Sequence, residues 1–258
     1  MPKLNIVKIG GTIIEDKNKL LPFLKNFTGL KGPKILVHGG GKRATSWAKK
    51  LGIPVQMKDG RRVTNKKTLE LITAVYAGQI NKTLVAYLQG FGCNALGLSG
   101  ADANAIEAEK RPIKSIDYGF VGNITKVNNE WFNQILEQNI IPVCCAITHD
   151  GNGQLFNTNA DTISAEIGKA LAKEFDVKIS YCFELPGVMK DIKDSSSLIR
   201  KITKKSYQNL LFNNIISEGM MPKLHNAIEA IEGGVNEVAI GNTNMINQDI
   251  PYTSITLR

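Results

Sequence analysis

Two short apolar runs each carry one functional side chain to a set of glycines. In Leu4-Asn5-Ile6-Val7-Lys8-Ile9-Gly10-Gly11-Thr12 the run reads as a buried parallel strand that ends in a sharp turn, with Lys8 near its end. Ile35-Leu36-Val37-His38-Gly39-Gly40-Gly41-Lys42 repeats the design, and a helix is expected from Arg43 to Leu51. Open α/β sheets bind ligands beyond the carboxyl ends of their strands, where glycine turns can offer backbone N–H groups to an anion. The first stretch alone reads more simply as a strand ending beside a solvated lysine. Three adjacent glycines in the second cost backbone entropy and ask for close approach or positive φ, which turns the pair towards a phosphate site. It is neither a Walker nor a Rossmann site, because Gly41-Lys42 is followed by Arg43 and no Gly-x-Gly-x-x-Gly opens a helix.

Two further stretches carry charge or caps. Gln56 to Thr64 contains Asp59-Gly60, a strong hairpin signal, with Arg61 and Arg62 just after it. An arginine there can fork onto a carboxylate, and the same residues equally suit a solvated basic loop. In Phe156-Asn157-Thr158-Asn159-Ala160-Asp161, either Asn159 or Asp161 could cap the helix that Ala165, Ile167, Ala170 and Leu171 continue. A carboxylate fixed at that helix start could instead hold lysines such as Lys8, and spacing does not choose between the two.

The elements that must position these residues alternate as strand, helix, strand, which marks a parallel α/β sheet. Leu20, Phe23, Leu24 and Phe27 give a helix in which Pro22 is tolerable only near the start. Asn65 to Gly90 reads as one long helix striped by Leu69, Ile72, Val75, Tyr76, Ile80 and Leu84, long enough to offer a face to a second subunit. Strands are expected at Asn94 to Leu98, Phe120 to Val127, Ile140 to Ile147, Val177 to Phe183 and Glu237 to Gly241. The Phe120 strand suits an antiparallel addition outside the main sheet. Lys190 to Lys205 reads as a surface loop, Glu218 to Leu224 leads into a helix ending near Ile231, and a mild boundary falls near residue 175.

The 258 residues are enough for one large domain or two lobes on a shared sheet, with the 43% hydrophobic and 21% charged content of an ordinary globular protein. No apolar run is long enough to cross a bilayer and no signal peptide is apparent, so a cytoplasmic location is expected. Cys93, Cys144, Cys145 and Cys182 lie in or beside apolar runs and read as buried free thiols. His38, His149 and His225 form no metal pattern. The net charge of +9 is scattered, without a nucleic-acid module, and is better matched to anionic small molecules.

Lys8-Ile9-Gly10-Gly11, His38-Gly39-Gly40-Gly41, Gly60-Arg61-Arg62-Val63-Thr64, Gly78 with Asn81-Lys82, Asn157-Thr158-Asn159-Ala160-Asp161 and Gly219-Met220-Met221-Pro222-Lys223 together, in that order, resemble the amino-acid kinase family over nearly the whole chain. The His-Gly-Gly-Gly turn and the Gly-x-Arg-Val-Thr hairpin resemble its acylglutamate branch. The resemblance implies an α/β/α sandwich with a mainly parallel sheet shared by two lobes, residues 1–175 binding an N-acylglutamate and residues 176–258 binding the nucleotide. It implies transfer of the γ-phosphoryl of ATP, with Mg²⁺, to a side-chain carboxylate in arginine biosynthesis, with no metal held by protein ligands. Lys8 and Lys223 would stabilise the moving phosphoryl group and Asp161 would hold both. Gly10, Gly11, Glu184 and Gly187 would lie on the nucleotide side, while Gly39, Gly40, Gly41, Arg62 and Asn157 would bind the acceptor.

Three features depart from the pattern. Phe183-Glu184-Leu185-Pro186-Gly187 stands where Thr/Ser-Asp-Val-Pro-Gly is usual, and Thr253-Ser254-Ile255-Thr256 where Gly-Thr is common. No helix precedes the first strand, from which a homodimer insensitive to arginine is expected. The acyl group could be acetyl or succinyl, the latter needing a cation such as Arg61 or Lys58, or a donor from the Ser99 to Asn104 loop. The rival readings are another enzyme of the same family, a non-catalytic regulatory protein on the scaffold, and a nucleic-acid binder.

Overall fold

The structure, a computed structural model, describes residues 1–258 apart from 59, 213–219, 248–249 and 258. The Asp59 half of the hairpin signal and Gly219 of the last motif therefore lie outside the described residues. The first half of the chain runs β1 (Lys3–Ile9), α1 (Gly11–Glu15), α2 (Lys17–Thr28), β2 (Lys34–His38), α3 (Gly41–Lys50), β3 (Met57–Lys58), β4 (Arg61–Arg62), α4 (Lys66–Thr73), α5 (Asn81–Gly90), β5 (Ala95–Leu98), β6 (Ile106–Lys110) and β7 (Gly122–Val127). The second half runs α6 (Asn129–Glu137), β8 (Ile141–Cys145), β9 (Ile147–His149), β10 (Leu155–Asn157), α7 (Ala160–Leu171), β11 (Asp176–Phe183), β12 (Lys201–Ile202), α8 (Lys204–Phe212), α9 (Met221–Glu232), β13 (Glu237–Asn242) and β14 (Thr253–Ile255).

Eight strands form the central sheet in the order β12-β14-β13-β11-β1-β2-β8-β5. Every neighbouring pair is parallel except β13 with β14. Strands covered on both faces are mainly apolar, and β2 is buried at all five residues and β1 from Ile6 to Ile9, with Lys8, Lys34 and His38 the buried polar exceptions. Ile9 sits level with His38 on one side and Cys182 on the other, so the glycine turns after β1 and β2 emerge side by side. A second sheet, β10-β9-β6-β7, stands apart, and the antiparallel addition expected for the Phe120 region is its β6–β7 pair.

The differences from the sequence reading have local causes. The apolar run from Ile140 to Ile147 divides at Ala146, β8 staying in the central sheet while β9 crosses to the second one, and periodicity does not mark that switch. The long helix is continuous in direction but not in geometry, for Ala74–Ile80 is π-helical between α4 and α5. Pro22 is the sixth residue of α2 rather than near its start, because Asp16 caps the helix earlier by accepting from Asn18 N–H at 2.9 Å. The Lys190 to Lys205 stretch is not all loop, since Ile202, fully buried, adds β12 to the sheet edge. All four cysteines are free and buried, as expected, and burial pushes the thiols of Cys145 and Cys182 up to about 12, so they stay protonated at neutral pH.

One buried polar contact ties the π-helical region to the sheet. Asn81 Nδ2 donates to Val143 O at 2.8 Å and to His38 Nε2 at 3.0 Å. His38 Nδ1 faces Gly39 O at 2.9 Å, and since a carbonyl only accepts, the proton is on Nδ1. Burial holds this imidazole neutral by lowering its pKa to about 4. Asn81→Ala removes both side-chain bonds and leaves His38 Nε2 buried without its donor, which should cost about 1–3 kcal/mol in urea unfolding. A loss below about 0.5 kcal/mol would deny the contact its role.

Candidate active site

The carboxyl ends of β1 and β2 open onto a cleft of about 460 Å³. Its floor is Lys8 with the glycines of both turns, and its walls include Arg62, Asn157 and Asp161. Of the residues singled out in the sequence, Lys8, Gly10, Gly11, Gly39, Gly40, Gly41, Arg62, Asn157 and Asp161 all line this one space. Gly40 needs to be glycine for contact reasons, because an added Cβ would come within 2.5 Å of Ile80 and 2.7 Å of the Tyr76 ring.

The start of α7 resolves the cap ambiguity. Asn159 is the cap, its side chain accepting from the N–H groups of Asp161 at 2.7 Å and Thr162 at 3.2 Å. Asp161 is thereby released for charge. Lys8 Nζ lies 2.7 Å from its Oδ1, and Lys223, in the first turn of α9 just after Pro222, donates to its Oδ2 at 2.6 Å. Burial opposes ionisation of Asp161, but the two ammonium groups outweigh it and hold the carboxyl at about 2. Lys8 is pushed below the usual lysine value, first by burial and also by Lys223, against the pull of Asp161. Two cations on one anion leave this buried group with a net charge of +1, which an incoming anion would offset.

Arg62 is buried and held through one of its two terminal nitrogens. Its Nη2 donates to Gly41 O at 3.0 Å and to Thr45 Oγ1 at 2.7 Å, while its Nη1 is buried with no partner among the described residues. A buried guanidinium nitrogen without an acceptor fits a carboxylate in the cleft. Asn157 Nδ2 donates to Thr64 Oγ1 at 3.0 Å, which ties β10 to the end of the hairpin. Glu184 and Gly187 are not brought into this cleft. Glu184 is half exposed and paired with Lys19 at 3.1 Å, and Gly187 packs so tightly that an added Cβ would lie 2.6 Å from Thr253 Oγ1.

Two residues at or behind the cleft escaped the sequence reading. Arg111, just past β6, lines the wall beside Arg61, and its only local signal is a lysine before it and a proline after it. Tyr181, fully buried on β11, donates from its hydroxyl to the carbonyl of Asp161 at 3.1 Å and so supports the first turn of α7 from below. A tyrosine within an apolar strand gives no hint of such a contact.

The amino acid kinase family model matches residues 3–242 of this chain. The chain belongs to the amino-acid kinase family. It is 51% identical to the acetylglutamate kinase of Cytophaga hutchinsonii over 93% of this chain and 91% of the relative. To that of Bacteroides thetaiotaomicron it is 48% identical over 92% of this chain and 93% of the relative. Among solved structures, smu.665 from Streptococcus mutans has a TM-score of 0.82 at 26% identity and covers 99% of both chains. The carbamate kinase of Giardia lamblia bound to AMP-PNP has a TM-score of 0.72 at 13% identity, with 100% of this chain and 99% of that one covered, a likeness of fold alone.

Within this family member, Asp161 has a pH signature. Its folded pKa of about 2 lies below the usual carboxylate value of 3.8, so the stability it adds is complete above about pH 4 and fades as pH falls through 2. The stability gap between wild type and Asp161→Asn should therefore be widest above pH 4 and narrow by about 2 kcal/mol by pH 2. A gap independent of pH in denaturant titrations would show that the lysines do not act on this carboxylate.

Proposed function

We infer that this chain transfers the γ-phosphoryl group of ATP to the side-chain carboxylate of N-acetylglutamate, a step of arginine biosynthesis. The relatives matched along almost their whole length carry the name of that enzyme. The observation that carries the reading is the Lys8–Asp161–Lys223 group, of which Lys8 and Asp161 line the same glycine-bordered cleft as Arg62, while Lys223 reaches Asp161 from outside that lining.

In this reading the attacking carboxylate needs no base, because it is ionised near neutral pH. Asp161 is unsuited to be one, with a pKa of about 2 and both oxygens engaged by ammonium groups. Its role is to keep Lys8 and Lys223 aimed at the phosphoryl group, where charge spreads over the equatorial oxygens. The backbone of Gly10 and Gly11 serves the phosphates, that of Gly39, Gly40 and Gly41 serves the acceptor, and Arg62 with Asn157 holds the α-carboxylate. Residues 1–175 supply the acceptor side and residues 176–258 the nucleotide side. Glu184 and Gly187 follow the end of β11, the neighbour of β1, and are assigned to the nucleotide side although neither lines the cleft.

Among the described residues no group of three His, Cys, Asp or Glu side chains could hold a metal, and Asp161 is already paired. Mg²⁺ therefore fits as a companion of the nucleotide phosphates, where it supplies charge neutralisation. A second acceptor, N-succinylglutamate, is favoured by one feature. Arg61 and Arg111 both line the cleft, and burial, followed by the proximity of Arg61, lowers the pKa of Arg111, so an additional carboxylate would find a cationic wall.

One kinetic series tests these roles. Lys8→Gln should lower kcat about 100-fold or more with little change in KM, and Arg62→Lys should raise KM for the acylglutamate about tenfold with a smaller effect on kcat. Wild type should turn over N-acetylglutamate; faster turnover of the succinyl compound would move the assignment to that acceptor, and turnover of neither would remove the reading. The chain is further read as a homodimer. Phe91 and Leu96, 38% and 41% exposed, lie beside and along the edge strand β5, whose outer side is unpaired among the described residues. Sedimentation should give twice the chain mass, and a monomer at micromolar concentration would exclude it.

A further inference from the structure

The two glycine turns must keep a fixed separation if one serves the donor and the other the acceptor, and α1 is poorly equipped to keep it. This helix has five residues and no side chain capping its start at Gly10, too short to hold its own geometry. Its last residue, Glu15, receives Arg43 Nε on both carboxylate oxygens, at 2.9 and 2.8 Å. Arg43 stands in the first turn of α3, directly after the second glycine turn, and its Nη1 donates to Gln79 Oε1 at 3.2 Å. Gln79 belongs to the π-helical stretch, and on the same side of that stretch Tyr76 and Ile80 press against Gly40. The starts of α1 and α3 also touch, for a Cβ on Gly11 would lie 3.4 Å from the Lys42 side chain.

We propose that Glu15, Arg43 and Gln79 form a strap that sets the distance between the two glycine turns, with Arg43 as a positioning residue for phosphoryl transfer. The proposal rests on the phosphotransfer reading above. It accounts for the π-helical segment, since π-turns recur at functional sites and this one supplies the contacts to Gly40 and Arg43 together. Stability is a poor explanation for the strap. The Arg43 and Glu15 side chains are 26% and 32% exposed, and ion pairs near the surface add little to folding. Geometry is a better one, because a displacement of about 1 Å between reacting groups can cost about 100-fold in rate.

The test is Arg43→Lys, which keeps the charge but has no separate Nε and Nη1 donors to hold Glu15 and Gln79 together. The kcat should fall by about tenfold or more, with KM for ATP and acylglutamate within about threefold and the melting temperature nearly unchanged. The paired exchange Glu15→Arg with Arg43→Glu should recover turnover relative to Glu15→Arg alone. Wild-type kcat in Arg43→Lys, or a kcat that falls only in step with melting temperature, would overturn the proposal. Amide exchange reads the strap without any substrate. Ile14 and Ala44 N–H bond to the carbonyls of Gly10 and Gly40, and both should exchange faster in Arg43→Lys, whereas unchanged exchange at both would overturn it. Absence of wild-type turnover counts against the phosphotransfer reading, while the exchange result decides the strap on its own.

Discussion

A buried carboxylate between two ammonium groups is tolerable only if each charge is close enough to the others to replace the water it has lost. Asp161 meets that condition, with Lys8 at 2.7 Å and Lys223 at 2.6 Å. The three residues come from the end of β1, the start of α7 and the start of α9, so the chain has to bring remote segments to one point with little error. Tyr181 and Asn159 narrow that error, the first holding the Asp161 carbonyl from the sheet and the second occupying the helix cap that Asp161 would otherwise fill. The residual positive charge is what makes the group suited to a polyanion.

The parallel sheet supplies the rest of the geometry. Because β1 and β2 run in register, with Ile9 opposite His38, both glycine turns leave the sheet at the same level and on the same edge. His38 is kept neutral by burial and held by Asn81 and by the Gly39 carbonyl, so the second turn starts from a fixed point. The second sheet and the short hairpin then act as a wall, bringing Arg62 and Asn157 over the turns. Arg62 is held at Nη2 by the start of α3, and its Nη1 is buried without a partner among the described residues.

Much of this is legible in the amino-acid sequence. Continuous apolar runs ending in glycines identified β1 and β2, since a strand buried on both faces has no room for polar alternation. Apolar residues at helical spacing identified α2, α7 and the long helical region. What periodicity cannot register is a change of partner or of helical pitch. The run at Ile140 to Ile147 stays apolar while it crosses from one sheet to another, and Ala74–Ile80 keeps its apolar stripe while it widens into a π-helix. Arg111 and Tyr181 were invisible for a related reason, as each acquires its role from a neighbour distant in sequence.

The amino-acid sequence by itself determined the residue types available, the glycine turns, the strand-helix alternation and the kinase family to which these belong. It did so for the first three because backbone freedom, side-chain charge and hydrophobic period are local properties, and for the family through the joint order of motifs spread along the chain. Only the tertiary structure decided that Asn159 rather than Asp161 is the cap, that Asp161 joins Lys8 to Lys223, and that Glu184 lies outside the cleft and pairs with Lys19. Those outcomes depend on which distant charges are brought within about 3 Å, where Coulomb energy in a water-poor interior overrides local preference.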